Sequence, residues 1–294
     1  LEERIWLVAT LVQFGLVVQI ISAILFIYAA DYFATVLTGA MCAAGSLTAN
    51  GYGLPALGFK LVTIFVGSLW IMLHRLDIGS ENFPYTRLKS LWLLAMLPLL
   101  IGDGLLVVLY LINLEPEIVT SCCGIIFGDT EAGGYSLLNY SSESAMPFAL
   151  AATAALILAG SMFQLFSIPS SKGAALLVSG MLGAAWLIFY LLALAVITVQ
   201  VSPYVYGLPH HRCPFDLLHY PYLIIGLPLY LFLHGGVLAG LGAALVRIIS
   251  YAMEGGCHVD QFIRRASLVS VSLTLLFLVT AGWRPFAYIL FGGQ

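Results

Sequence analysis

Seven uninterrupted apolar stretches, each long enough to cross a bilayer, run through this sequence. A spanning helix needs about 20 predominantly apolar residues. The stretches lie at about residues 5–30, 55–73, 91–114, 146–168, 173–201, 222–246 and 266–291. They are continuous rather than alternating, which selects helices over the strands of a membrane barrel. In lipid, a helix satisfies its backbone polar groups within itself. Charge supply agrees. Only 9% of the 294 residues are charged, against roughly 25% in a soluble domain. So few charges would leave broad apolar patches in water, which excludes a soluble globular enzyme. A net charge of -3 speaks against nucleic acid as a partner. The expected fold is an all-α integral membrane protein, a polytopic bundle of about seven helices in one transmembrane domain, residues 1–294. Its partners are the lipid bilayer and a periplasmic or membrane protein, and its expected location is a bacterial inner membrane. The first stretch is too long for a signal-peptide core and reads as a retained helix. The seventh is interrupted by Arg284 and Pro285, and ends at Trp283 or near Phe291.

Placing the few basic residues orients the chain. Arg4, Arg75, Arg87, Lys89, Lys172, Arg247, Arg264 and Arg265 fall on one side, eight of the eleven. Lys60, Arg212 and Arg284 fall on the other. The excess marks the cytoplasmic side, so the N-terminal segment is expected in the cytoplasm. The outer loops, about residues 31–54, 115–145 and 202–221, are then the long ones and form a small extracytoplasmic cap. Loops on a rigid scaffold commonly carry function.

That orientation collects the cysteines. Of five, Cys42, Cys122, Cys123 and Cys213 fall in the three outer loops, and Cys257 is cytoplasmic. Outside the cytoplasm thiols oxidise, and two disulfides would staple the cap. Adjacent cysteines pair poorly with each other, so Cys42 is expected to bond one of the 122–123 pair and Cys213 the other. The functional alternatives are thiol–disulfide exchange and a metal centre. Cys213-Pro214-Phe215-Asp216 has the outline of a redox Cys-x-x-Cys with Asp in the last place. A thiolate needs a lowered pKa to attack, and His210, His211 and Arg212 stand beside it. Thiolate with imidazole suits zinc or copper, and His210, His211, Cys213 and His219 fall within ten residues.

Polar residues inside the spans supply the other candidates. Asp103 interrupts the third span, where a carboxyl is costly and faces a partner or a wet cavity. It is a candidate proton relay. Lys60, five residues into the second span, either snorkels outward or pairs with an outer carboxylate. His234 in the sixth span and His74 at the inner end of the second differ in depth, which gives a haem poor support. His234 is read instead as a hydrogen-bonded packing residue. Its neighbours Gly236 and Gly240 form a small-x-x-x-small face, with the Ala-rich fourth span (Ala151, Ala155) as expected partner. Arg87 and Lys89 are read as the basic cytoplasmic flank.

The functional expectation is a membrane protein with a Cys/His cluster on its extracytoplasmic face, serving redox chemistry or metal handling. The redox forms are thiol–disulfide exchange and respiratory electron transfer, and the cofactors considered are copper, zinc or haem. The alternatives are a non-catalytic anchor subunit with structural disulfides, and a small-molecule or ion transporter using Asp103 and His234.

Overall fold

The structure is a computed structural model that describes residues 2–80, 83–115, 117, 145–166, 172–208, 211–252 and 257–291. It is helical, with no strand among the described residues. Seven helices are long and apolar enough to cross a membrane, and the chain is an integral membrane protein. Their outward faces carry Phe14, Ile101, Leu191 and Ile224, all heavily exposed. Such surfaces are stable against lipid and not against water. The chain divides into two compact units, Leu1–Cys122 and Cys123–Gln294.

In the first unit, α1 (Glu2–Phe33) and α4 (Thr86–Ile112) each pack along α3 (Gly53–Ile78). A short helix, α2 (Ala43–Leu47), is buried at every residue. The Asn50 amide donates to the carbonyls of Tyr110 (3.0 Å) and Asn113 (3.1 Å). These are end carbonyls of α4, which lack helical partners and need a cap. Tyr110 donates its hydroxyl to the Ser46 carbonyl and meets Phe26 edge-on. The segment between α1 and α3 is thus tied to the ends of the spans by Asn50 and Tyr110.

In the second unit, α8 (Leu223–Ala252) packs on α6 (Lys172–Val196) and α9 (Cys257–Phe291), while α5 (Ala145–Phe166) packs on α6 and α9. Trp186, Phe189 and Phe277 make successive edge-to-face contacts at 5.9 Å, the arrangement favoured by ring quadrupoles. The Gly236–Gly240 face meets α6 and α9, not the fourth span. A Cβ at Gly240 would lie 2.1 Å from the Trp186 ring, and one at Gly236 3.1 Å from the Thr274 hydroxyl. An indole needs a deeper recess than alanines do, and Gly240 supplies it.

Several helices outrun their apolar windows. The third reaches back to Thr86, and the seventh starts at Cys257 and runs through Arg284 and Pro285 to Phe291. Pro98, Pro228 and Pro285 all lie inside helices, which membrane helices tolerate where freed carbonyls find other partners. The fifth span continues past residue 201 into the expected third loop. A π-helical segment (Ile197–Val201) joins α6 to α7 (Ser202–Tyr206), and the Ser202 hydroxyl donates to the Ile197 carbonyl at 2.8 Å. The Ser202 backbone N–H donates to the same Ile197 carbonyl across the π turn, so both donors of this serine close the segment.

Candidate functional site

The turn around Cys213 is built by the helices beneath it. Gly207 ends α7 in the left-handed region (φ 68°), where a residue without Cβ is favoured. The chain then reverses and returns through a 3-10 turn (Asp216–Leu218) to α8. Close approach holds that turn down: a Cβ at Gly226 would fall 1.9 Å from the Leu217 carbonyl oxygen. Two phenols pin the cysteine segment. Tyr206 donates to the Cys213 carbonyl (2.6 Å) and Tyr230 to the Pro214 carbonyl (2.7 Å). The Tyr206 ring also meets His211 and Tyr222 edge-on, each with centroids 4.7 Å apart.

Asp216 is the centre of the arrangement. One carboxylate oxygen accepts from His211 Nε2 at 2.6 Å, and the other from the Cys213 thiol at 3.3 Å. Cys213 is fully buried, whereas His211 and Asp216 keep about a third and a fifth of their side-chain surface exposed. A carboxylate only accepts, so His211 presents Nε2–H to it and turns Nδ1 away. The negative charge beside the sulfur opposes a bare thiolate there. A cation bound to the sulfur removes that opposition.

Below this turn, His234 donates from Nδ1 to the Tyr230 carbonyl (2.7 Å). Its Nε2 is therefore the acceptor for the Tyr190 hydroxyl at 3.1 Å. With both nitrogens engaged, His234 has no lone pair to offer a haem iron. His219 is half-buried at the end of the 3-10 turn, its backbone N–H donating to the Asp216 carbonyl. Cys122, Cys123 and His210 lie outside the described residues. Cys42 is buried in the first unit, in extended backbone at the start of α2.

The first unit holds two buried polar networks. In the mid-membrane one, Asp103 accepts from Lys60 at 3.3 Å and from the Gln19 amide. Lys60 also donates to the Ser22 hydroxyl at 2.9 Å, and its ammonium sits 5.7 Å from the Phe26 ring centroid. Lys60 therefore neither snorkels outward nor meets an outer carboxylate. A carboxylate at this depth needs a counter-charge, and the lysine supplies it. The second network, at the α3–α4 turn, has no counterpart in the sequence expectations. Asp77, fully buried, accepts from Lys89, from the Tyr85 backbone N–H (2.7 Å) and from the Thr86 hydroxyl (3.0 Å). Lys89 is thus the buried partner of Asp77 rather than an open cytoplasmic flank. The signal was an acid and a base twelve positions apart across a short turn, with His74 one helical turn before the acid.

No family model, curated protein or solved structure matches this chain.

Proposed function

We propose that this membrane protein binds a soft metal ion, copper or zinc, through Cys213 and His211 on its extracytoplasmic face. The observation that carries the reading is the Asp216 carboxylate shared between the Cys213 thiol and the His211 imidazole. Carboxylate-oriented histidines are the usual form of metal-ligating imidazole, and thiolate with imidazole suits these two metals. His211 would ligate through Nδ1 with Asp216 behind it. Cys213 would ligate as thiolate, its proton leaving to solvent as the metal enters. The side assignment rests on the distribution of lysine and arginine. Exchange chemistry at Cys213 is less well supported, because Asp216 opposes the free thiolate that must attack. Cys42, Cys122 and Cys123 are the other thiols the charge count assigns to that face.

The test is metal analysis of purified protein, with thiol titration before and after reductant. A stoichiometric metal is expected, lost in Cys213→Ser and reduced roughly tenfold or more in affinity in Asp216→Asn, as for other outer-shell carboxylates. Metal-free protein that fails to take up Cu(I) or Zn(II) after reduction would overturn the reading. Fully locked disulfides would then favour a non-catalytic anchor.

A further inference from the structure

We propose that the first unit carries a binding site for a neutral carbonyl-headed lipid of the quinone type, in a crevice between α1 and α4 over α3. This is separate from the Cys213 turn and does not depend on the reading given for it.

The crevice follows from how the helices pack. α1 and α4 each lie along α3 but make little contact with one another among the described residues. The gap between them is a cavity of about 500 Å³, with Leu11 and Leu16 of α1 on one wall and Leu93 and Leu97 of α4 on the other. Ligand sites for small molecules commonly span roughly 300–1,000 Å³. From Val8 to Gln19, the two ends of its α1 wall, a helix rises about 16 Å. That is half the hydrocarbon thickness of a bilayer. The walls are apolar, so the occupant has an apolar tail.

The head group is argued from Thr63, which lines the floor. A threonine in a helix ordinarily turns its hydroxyl back to a carbonyl of the preceding turn. In this chain Thr10, Thr153, Thr198 and Thr280 all do so, each bonding the carbonyl four residues back. Thr63 does not. It is 1% exposed and its hydroxyl has no hydrogen-bond partner. An unpaired buried hydroxyl is costly, and Thr63 is a residue of the cavity lining. Gln19 lines the same cavity and gives one N–H to Asp103, which leaves its amide a second donor. The two groups therefore offer hydrogens to an acceptor. The nearby charges, Lys60 and Asp103, already balance each other, so a neutral head is favoured over a phosphate or carboxylate. A lipid carbonyl meets these conditions.

The protein carries its own reporters. Trp70 and Trp92 pack in one cluster with Met96, Val12 and Leu93, three residues of the cavity wall. The experiment titrates full-length protein in nanodiscs with a decyl-tailed benzoquinone and follows tryptophan quenching, with decane as the headless competitor. Two variants separate tail from head. Gly15 lines the crevice and a Cβ there would meet nothing within 4 Å, so Gly15→Leu is the variant that fills it. Thr63→Val removes only the hydroxyl. Saturable quenching is expected, abolished in Gly15→Leu and weakened about fivefold in Thr63→Val, the value of one net hydrogen bond. Thr63→Val should also raise the melting temperature of the ligand-free protein by a few degrees, because it deletes an unpaired buried hydroxyl. Quenching that stays linear, survives Gly15→Leu, is indifferent to Thr63→Val, or is displaced equally well by decane would overturn the proposal.

Discussion

Asp77 shows how much one residue can organise at the end of a membrane helix. It joins the backbone of Tyr85, the hydroxyl of Thr86 and the ammonium of Lys89 around a single carboxylate. Lys89 also points an N–H at His74 Nδ1, 3.2 Å away. An ammonium only donates, so the Nδ1 lone pair accepts and the proton sits on Nε2. The His74 ring stacks on Trp70 at 5.1 Å, and Trp70 Nε1 donates to the Lys89 carbonyl at 3.0 Å. Burial, with Asp77 adding to it, holds the Tyr85 phenol above its ordinary pKa, so it stays neutral throughout the physiological range. Removing one charge from a buried pair costs roughly 3–5 kcal/mol. Asp77→Asn is expected to destabilise by about that much in thermal unfolding in detergent, and Asp77→Asn with Lys89→Met to recover most of the loss. In the sequence the only trace of this is the spacing of Asp77 and Lys89 across a short turn, which does not say that the two meet. The positional rule for basic residues registers which side Lys89 is on, and is blind to whether the charge is solvated or paired. Asp103 was different: a carboxyl inside an apolar run announces that it needs a partner, although the run does not say that Lys60 is the partner.

At the scale of the helices, continuous apolar runs located all seven long elements, because a helix that crosses lipid needs about 20 such residues in a row. It measured them less well. The windows ended where polar residues began, yet α3 continues to Ile78 and α9 starts at Cys257, since a helix does not stop where the hydrocarbon does. Contacts between helices were legible only as a tendency. The Gly236-x-x-x-Gly240 pattern correctly marked a close approach, but small residues do not name what approaches. Trp186 fills the recess at Gly240. Gly240→Ala should therefore overpack the α6–α8 contact and cost about 1–3 kcal/mol, read as a lower melting temperature. Trp186→Phe in the same chain should restore part of it by withdrawing the distal benzo ring, whose Cε2 and Cζ2 lie nearest Gly240. The π segment at Ile197–Val201 was not read from the sequence, because an apolar window registers composition and not how the backbone turns within it.

For the molecule as a whole, the arrangement of spans leads to a direct topological test. Alkaline phosphatase fused after Gly207 is expected to be active, and the same reporter fused after Gly79 inactive, in cells of a bacterial host. The reverse pattern would invert the assignment of sides and move the Cys213 turn to the cytoplasm. Much of what lies beyond the helices depends on their length. The helical run Gly173–Tyr206 has 34 residues, about 50 Å at the usual rise, while the whole bilayer with its headgroups measures roughly 40–45 Å. Such a rod must tilt, stand proud of the surface, or thicken the lipid around it. Tyr206, which holds the Cys213 carbonyl, is the last residue of that rod. The height of the cysteine turn above the lipid is thus set by hydrophobic mismatch, and membrane thickness becomes a control on how water and solutes reach it.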